Sequence, residues 1–171
     1  MAAYNAAMNT RLFDAAGRLS DAARRRQRGA FWGSIHGTLN HLLWADQIWM
    51  SRFDGWEAPK IVQKDSASFV TDFAELRRAR DVADGKISAW AAQISDDWLA
   101  GDQTWYSGSV GRNVTLPRGT LLMHFFNHQT HHRGQAHAMI TAAGEKTGDT
   151  DMFLIPEVLA AALNGQASPL K

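Results

Sequence analysis

The sequence predicts an all-α fold, a four-helix bundle with a small hairpin before its last long helix. Three observations predict it. Apolar residues recur at steps of three and four in four separate stretches, the mark of one buried face on a helix. β-prone residues are confined to one short region. The length, 171 residues, suits a single domain covering 1–171, and no repeat or linker divides it.

The first helix is expected from about Tyr4 to Arg28, with Met8, Leu12, Ala15, Leu19 and Ala22 facing inward. Its end carries Arg24, Arg25, Arg26 and Arg28, which complement a helix dipole, followed by Gly29 just past the stop. The second helix follows Ser34, a good N-cap, and its stripe reads Ile35, Leu39, Leu42, Trp49 and Phe53 before Asp54-Gly55. The third is expected from Ser66 or Ser68, with Phe69, Phe73, Leu76, Ala83, Ile87, Trp90 and Ile94. Thr104–Tyr106 and Asn113–Leu116 around Gly108 and Gly111 predict the hairpin. The fourth helix runs from Pro117 or Arg118 to Ala143 and stops at Gly144. Its inward stripe is Leu121, Phe125, His128, His132, Gln135 and Met139. A short helix is expected over Pro156–Leu163. The longer connections after the second and third helices allow a crossover.

Composition narrows the chemistry. Hydrophobic residues make up 45% and charged residues 20%, the balance of a globular chain. Eighteen Lys and Arg against 17 Asp and Glu leave a formal charge of +1, which disfavours a general nucleic-acid binder. The Arg24–Arg28 run reads as a solvated helix end. No apolar run reaches the roughly 18 residues of a membrane span. Met1 to Thr10 has no charged region leading into an apolar core, so the chain is read as cytoplasmic. With no cysteine, thiolate metal sites and cysteine nucleophiles are excluded, and any thiol chemistry must use a thiol brought in by a partner.

Histidine then stands out. Five of the seven (His124, His128, His131, His132 and His137) fall within the fourth helix. His128 and His132 are one turn apart and leave the same face, the spacing at which a helix offers two imidazoles to one ion. His41, near the middle of the second helix and beside its apolar stripe, is the best placed third donor. Three neutral imidazoles suit zinc, nickel, copper or iron(II) and leave positions open. Spacing alone weighs this equally against a pair of hydrogen-bonded core histidines. His124, His131 and His137 read as structural or surface residues, and His36 has no assigned role. Gln129 follows His128, so the His-Glu-x-x-His pattern of metalloproteases is missing.

Two strings carry a resemblance. Leu39-Asn40-His41-Leu42-Leu43-Trp44-Ala45-Asp46 is similar to the first motif of the DinB family, and His124-Phe125-Phe126-Asn127-His128-Gln129-Thr130-His131-His132-Arg133-Gly134-Gln135 resembles its second motif closely. The likeness spans nearly the whole chain. It implies a DinB/YfiT-like four-helix bundle in up-down-down-up order, a divalent metal ion (zinc or nickel) held by His41, His128 and His132, and a homodimer. Relatives include thiol S-transferases using bacillithiol and a mycothiol-dependent isomerase. The residues around the histidines receive supporting expectations. Asp46 reaches another helix or pairs with Arg133, Gly134 lets helices approach closely, and Gln135 hydrogen-bonds near the metal or, by preference, fills space with a polar contact. Trp44, Trp49 and Trp90 are expected in the core, and Trp56, Trp98 and Trp105 at a rim.

The function expected is a metal-dependent transferase that takes a small-molecule substrate and a low-molecular-weight thiol as co-substrate. A metal-dependent hydrolase ranks lower, because no nearby carboxylate base can be named. A non-catalytic metal-binding stress-response protein is the alternative from another class. Neither a nucleic acid nor a membrane is expected as a partner.

Overall fold

The apolar spacing over 4–28 predicts one helix, but the chain forms two, α1 (Ala2–Arg18) and α2 (Asp21–Arg25). The break has a chemical cause. Leu19 is extended (φ −78°, ψ 151°), and Ser20 Oγ accepts from the Ala23 N–H at 3.2 Å, so serine starts a new helix. Arg24 mends the break. Its Nη1 donates to the carbonyl of Ala16, at 3.1 Å, which also accepts from the Leu19 N–H, and to the carbonyl of Leu19 at the end of α1. The same guanidinium lies 4.3 Å above the Phe73 ring. The described residues are 1–166 of a computed structural model, so positions 167–171 of the expected domain lie outside them.

Ser34 caps α3 (Ile35–Phe53), its Oγ accepting from Gly37 N–H at 3.0 Å. The third long helix starts later than its apolar spacing predicts. Residues 63–68 form a 3-10 turn, and α4 (Phe73–Ala91) begins only after Asp72, whose carboxylate accepts from Glu75 N–H at 2.8 Å. The stretch between is held by α3 instead. Val70 N–H donates to Asn40 Oδ1 at 2.6 Å, and the Val70 carbonyl lies 3.0 Å from His36 Nε2. A short α5 (Asp96–Ala100), which no apolar stripe predicts, leads into the hairpin β1 (Asp102–Ser107) and β2 (Arg112–Pro117). The strands are antiparallel, with Trp105 opposite Val114. α6 (Arg118–Ala142) follows directly, and α7 (Pro156–Gln166) comes last.

α1 packs on α4 and α6, and α3 packs on the same two helices. Two apolar clusters fill the space between. Leu12, Phe13, Ile35, Leu39, Leu42, Leu76 and Ile140 belong to one, and Met50, Phe53, Ile87, Trp90, Leu121 and Phe125 to the other. Each such side chain contributes about 1.5–3 kcal/mol by leaving water. α6 buries more than its predicted stripe: Gln129, Arg133, Ala136 and Ile140 are also inside. The reason is its place against both α1 and α3, which closes two faces of the helix rather than one. Among the described residues no helix is long and apolar enough to cross a membrane.

Candidate metal centre

His41 sits near the middle of α3, and His128 and His132 sit one turn apart on α6. The packing of the two helices brings the three rings together, with one ring nitrogen from each lying within 4.8 Å of the others. His41 Nε2 and His128 Nε2 are 3.2 Å apart. The rings of His132 and His41 have centroids 4.7 Å apart, and those of His128 and His132 4.5 Å. Two nitrogens each about 2.0–2.1 Å from a tetrahedral ion stand roughly 3.3 Å apart, so the His41–His128 spacing fits a shared ion. Between two neutral rings with no ion, facing nitrogens gain one hydrogen bond at most.

Two of the three rings are held by a partner on their far side. His41 Nδ1 lies 2.9 Å from Ser66 Oγ, and Ser66 is wholly buried in the 3-10 turn. A ring with its hydrogen on Nδ1 donates to that hydroxyl and presents a bare lone pair at Nε2. His132 Nδ1 lies 2.9 Å from Gln135 Oε1. A carbonyl oxygen only accepts, so this ring carries its hydrogen on Nδ1 and its Nε2 is free to bind. The other end of the Gln135 amide supports that orientation, with Nε2 3.1 Å from His131 Nε2. Gln135 is therefore an orienting residue, the less favoured of its two expected roles. Both contacts are of the kind that fix the tautomer of metal-binding histidines.

Burial keeps the rings neutral. It pushes His41 down to about 3, helped by the charges of His128 and His132, and His128 down to about 4, helped by His132, His124 and His131. Burial also lowers His132, against the Gln135 hydrogen bond. Neutral imidazole is the form that binds metal, so at neutral pH no proton competes. Trp32 covers one side of His41, ring on ring, with centroids 3.9 Å apart and planes 19° apart. Gly37 makes that cover possible. A Cβ at 37 would stand 2.4 Å from the Trp32 carbonyl, so only glycine lets the loop before α3 lie so close. His41 and His132 are buried while His128 is half-buried, so His128 marks the open side.

The remaining histidines stay outside the cluster. His36 is buried against Val70, and exposed His124 lies edge-on to Trp49 with centroids 5.1 Å apart. Exposed His131 meets Gln135, and His137 Nδ1 lies 2.8 Å from Thr147 Oγ1. Trp44 and Trp90 are buried as expected, but Trp49 is only half-buried because it packs at the rim with Trp105. Asp46 does not pair with Arg133. Its carboxylate takes Arg80 Nη1 of α4 at 2.5 Å and Gln129 Nε2 of α6. Arg80 also holds Asp84 at 2.8 Å, and Asn9 Nδ2 of α1 reaches Asp84 Oδ1 at 3.0 Å. A buried polar network thus joins all four long helices beside the rings. Gly134 does not permit close helix contact, since a Cβ there would meet nothing within 4 Å.

Ser66 and Trp32 were not legible as site residues. Ser66 reads as a helix start in the sequence, and Trp32 lies on no periodic stripe. A serine in the loop between two helices carries no signal of its own.

Comparison with known proteins agrees with this architecture. The fold is similar to that of a crystal structure of a DinB-like protein from Bacillus cereus ATCC 10987. The TM-score is 0.63 at 18% identity, over 85% of this chain and 90% of that one. No curated protein matches the chain. The model of the DinB family matches residues 1–160. With that match spanning nearly all of its length, the chain belongs to the DinB family.

Proposed function

We propose that His41, His128 and His132 bind one divalent ion, zinc or nickel, and that the protein is a metal-dependent transferase acting with a low-molecular-weight thiol. The observation that carries the metal reading is the meeting of three neutral ring nitrogens, two of them 3.2 Å apart, from separate helices. An ion held there supplies Lewis acidity and lowers the pKa of a bound thiol. The chain's own residues do the rest. Ser66 and Gln135 turn the rings of His41 and His132, Trp32 shields His41 from water, and the half-buried side at His128 is the face from which a small molecule would approach. The absence of cysteine is consistent with a thiol that arrives as co-substrate. We also read the chain as one domain and a homodimer in the cytoplasm, and the helices as an up-down-down-up bundle. Contacts of Asp46 with Arg80 and of Phe53 with Trp90 support a parallel α3 and α4.

A non-catalytic role, in which the ion only stabilises the fold, is favoured by one observation: His41 is 1% exposed and His132 7%. One experiment separates the two. Protein purified without an affinity tag is analysed for metals, alongside His41→Ala, and then screened with thiols and electrophilic acceptors. About one zinc or nickel per chain, lost in the variant, with turnover that needs the ion, supports the transferase. A bound ion with no turnover on any common bacterial thiol leaves the stabilising role. No stoichiometric ion in the unsubstituted protein overturns the site itself.

A further inference from the structure

The side of α6 turned away from His128 and His132 borders a cavity, about 270 Å³ in volume, between α1, α6 and the segment 147–150. We propose that this cavity binds a compact organic monocarboxylate, its carboxylate set against the guanidinium groups of Arg133 and Arg11 and its apolar body against Met8 and Leu12.

The argument starts from charge. Arg133 is 5% exposed, and no carboxylate forms an ion pair with it among the described residues. Its Nη2 donates only to Thr130 Oγ1, at 3.2 Å, and its Nη1 finds no acceptor. Arg80, equally deep, is neutralised by Asp46 and Asp84. Asp46 and Asp84 act on Arg133 only from beyond ion-pair distance and the Tyr4 ring lies 5.6 Å from its guanidinium, so a buried cation with no carboxylate in direct contact lines the cavity and favours an anion there. Burial brings Arg133 down to about 10, which leaves it charged at neutral pH. Arg11 adds a second positive charge to the wall. Its Nη1 donates to the Asp149 carbonyl at 2.7 Å, an interaction that leaves the charge uncancelled.

Shape points the same way. The Tyr4 hydroxyl donates to the Thr150 carbonyl at 2.9 Å, and His137 meets Thr147, so the 147–150 segment is tied across as a fixed wall. Cavities of about 150 Å³ already admit a benzene-sized molecule. Gly134 lies at the lining with open space where its Cβ would be, so a side chain introduced there enters the cavity without meeting backbone.

The test uses metal-free, full-length protein, so that a carboxylate cannot be captured by an ion at the histidines. Benzoate is titrated while amide and ring signals of Gly134, His137 and Thr147 are followed by NMR, with benzamide as the uncharged isostere. Saturable shifts at these residues, with benzamide at least tenfold weaker, are expected. Gly134→Leu is expected to abolish them while zinc uptake at His41, His128 and His132 is retained. Absence of shifts, equal binding of benzamide, or benzoate binding unchanged in Gly134→Leu overturns the proposal. Since the readout lies on the other side of α6 and needs no ion, its failure says nothing against the metal site, and the converse holds too.

Discussion

Ser66 touches His41 on the nitrogen that points away from His128, so its effect on the site passes through ring orientation. Ser66→Ala is expected to weaken zinc binding by roughly 10–100-fold, as loss of such supporting contacts does, while the fold survives. Competition against a chromophoric chelator reads that change directly. The histidines also make stability depend on pH. In the metal-free protein His41 and His128 titrate at about 3 and about 4, below their ordinary value of 6.5. Below pH 6.5 the unfolded chain therefore binds protons that the folded chain refuses. Stability is full above 6.5 and falls as pH drops towards 4. Asp46 and Asp84 oppose this, because burial raises both, Asp46 to about 6, but they are outnumbered by His41 and His128 together with His36, His124 and His132, which burial also lowers. Urea midpoints from pH 7.5 to 5 should fall steadily for metal-free protein, and the slope should be shallower in His41→Ala.

At the scale of elements, two glycines have opposite meanings. Gly37 near the start of α3 faces backbone, with 2.4 Å between a Cβ and the Trp32 carbonyl. Gly37→Ala must push the Trp32 loop off His41, at a cost of about 1–3 kcal/mol. Gly134 in α6 faces open space, and Gly134→Ala should stabilise the protein by about 0.8–1.0 kcal/mol through helix propensity alone. Chemical denaturation of both variants checks the pair of signs. Much at this scale was legible. Ser34 as a cap, the hairpin ahead of α6 and the limits of α6 follow from local rules. The break at Ser20 and the late start of α4 do not follow from the apolar stripe, because Ser20 and Asp72 compete locally for helix N–H groups that a stripe cannot register.

Across the whole molecule, the chain Asn9–Asp84–Arg80–Asp46–Gln129 links α1, α4, α3 and α6 through buried polar groups. Gln129 lies between His128 and His132 in sequence, so the same contact that ties α6 to α3 sets the height of both rings against His41. Asp46→Ala strands the Arg80 guanidinium beside Asp84 alone and should cost about 3–5 kcal/mol, measured by urea denaturation. Zinc affinity should fall with it, since the register of α6 on α3 is loosened.

The helical class, the hairpin and the facing of His128 with His132 are legible along the chain, because these rest on local periodicity and on spacing along one helix. The motif strings around His41 and His132 added the family. That Asp46 meets Arg80 and not Arg133, that Ser66 and Gln135 turn the rings, and that Trp32 covers His41 emerges from the packed fold alone. Those contacts depend on how far each helix is rotated and slid against its neighbours. That is set by the packing of side chains distant in sequence, such as Phe53 on Trp90, and no window along the chain contains it.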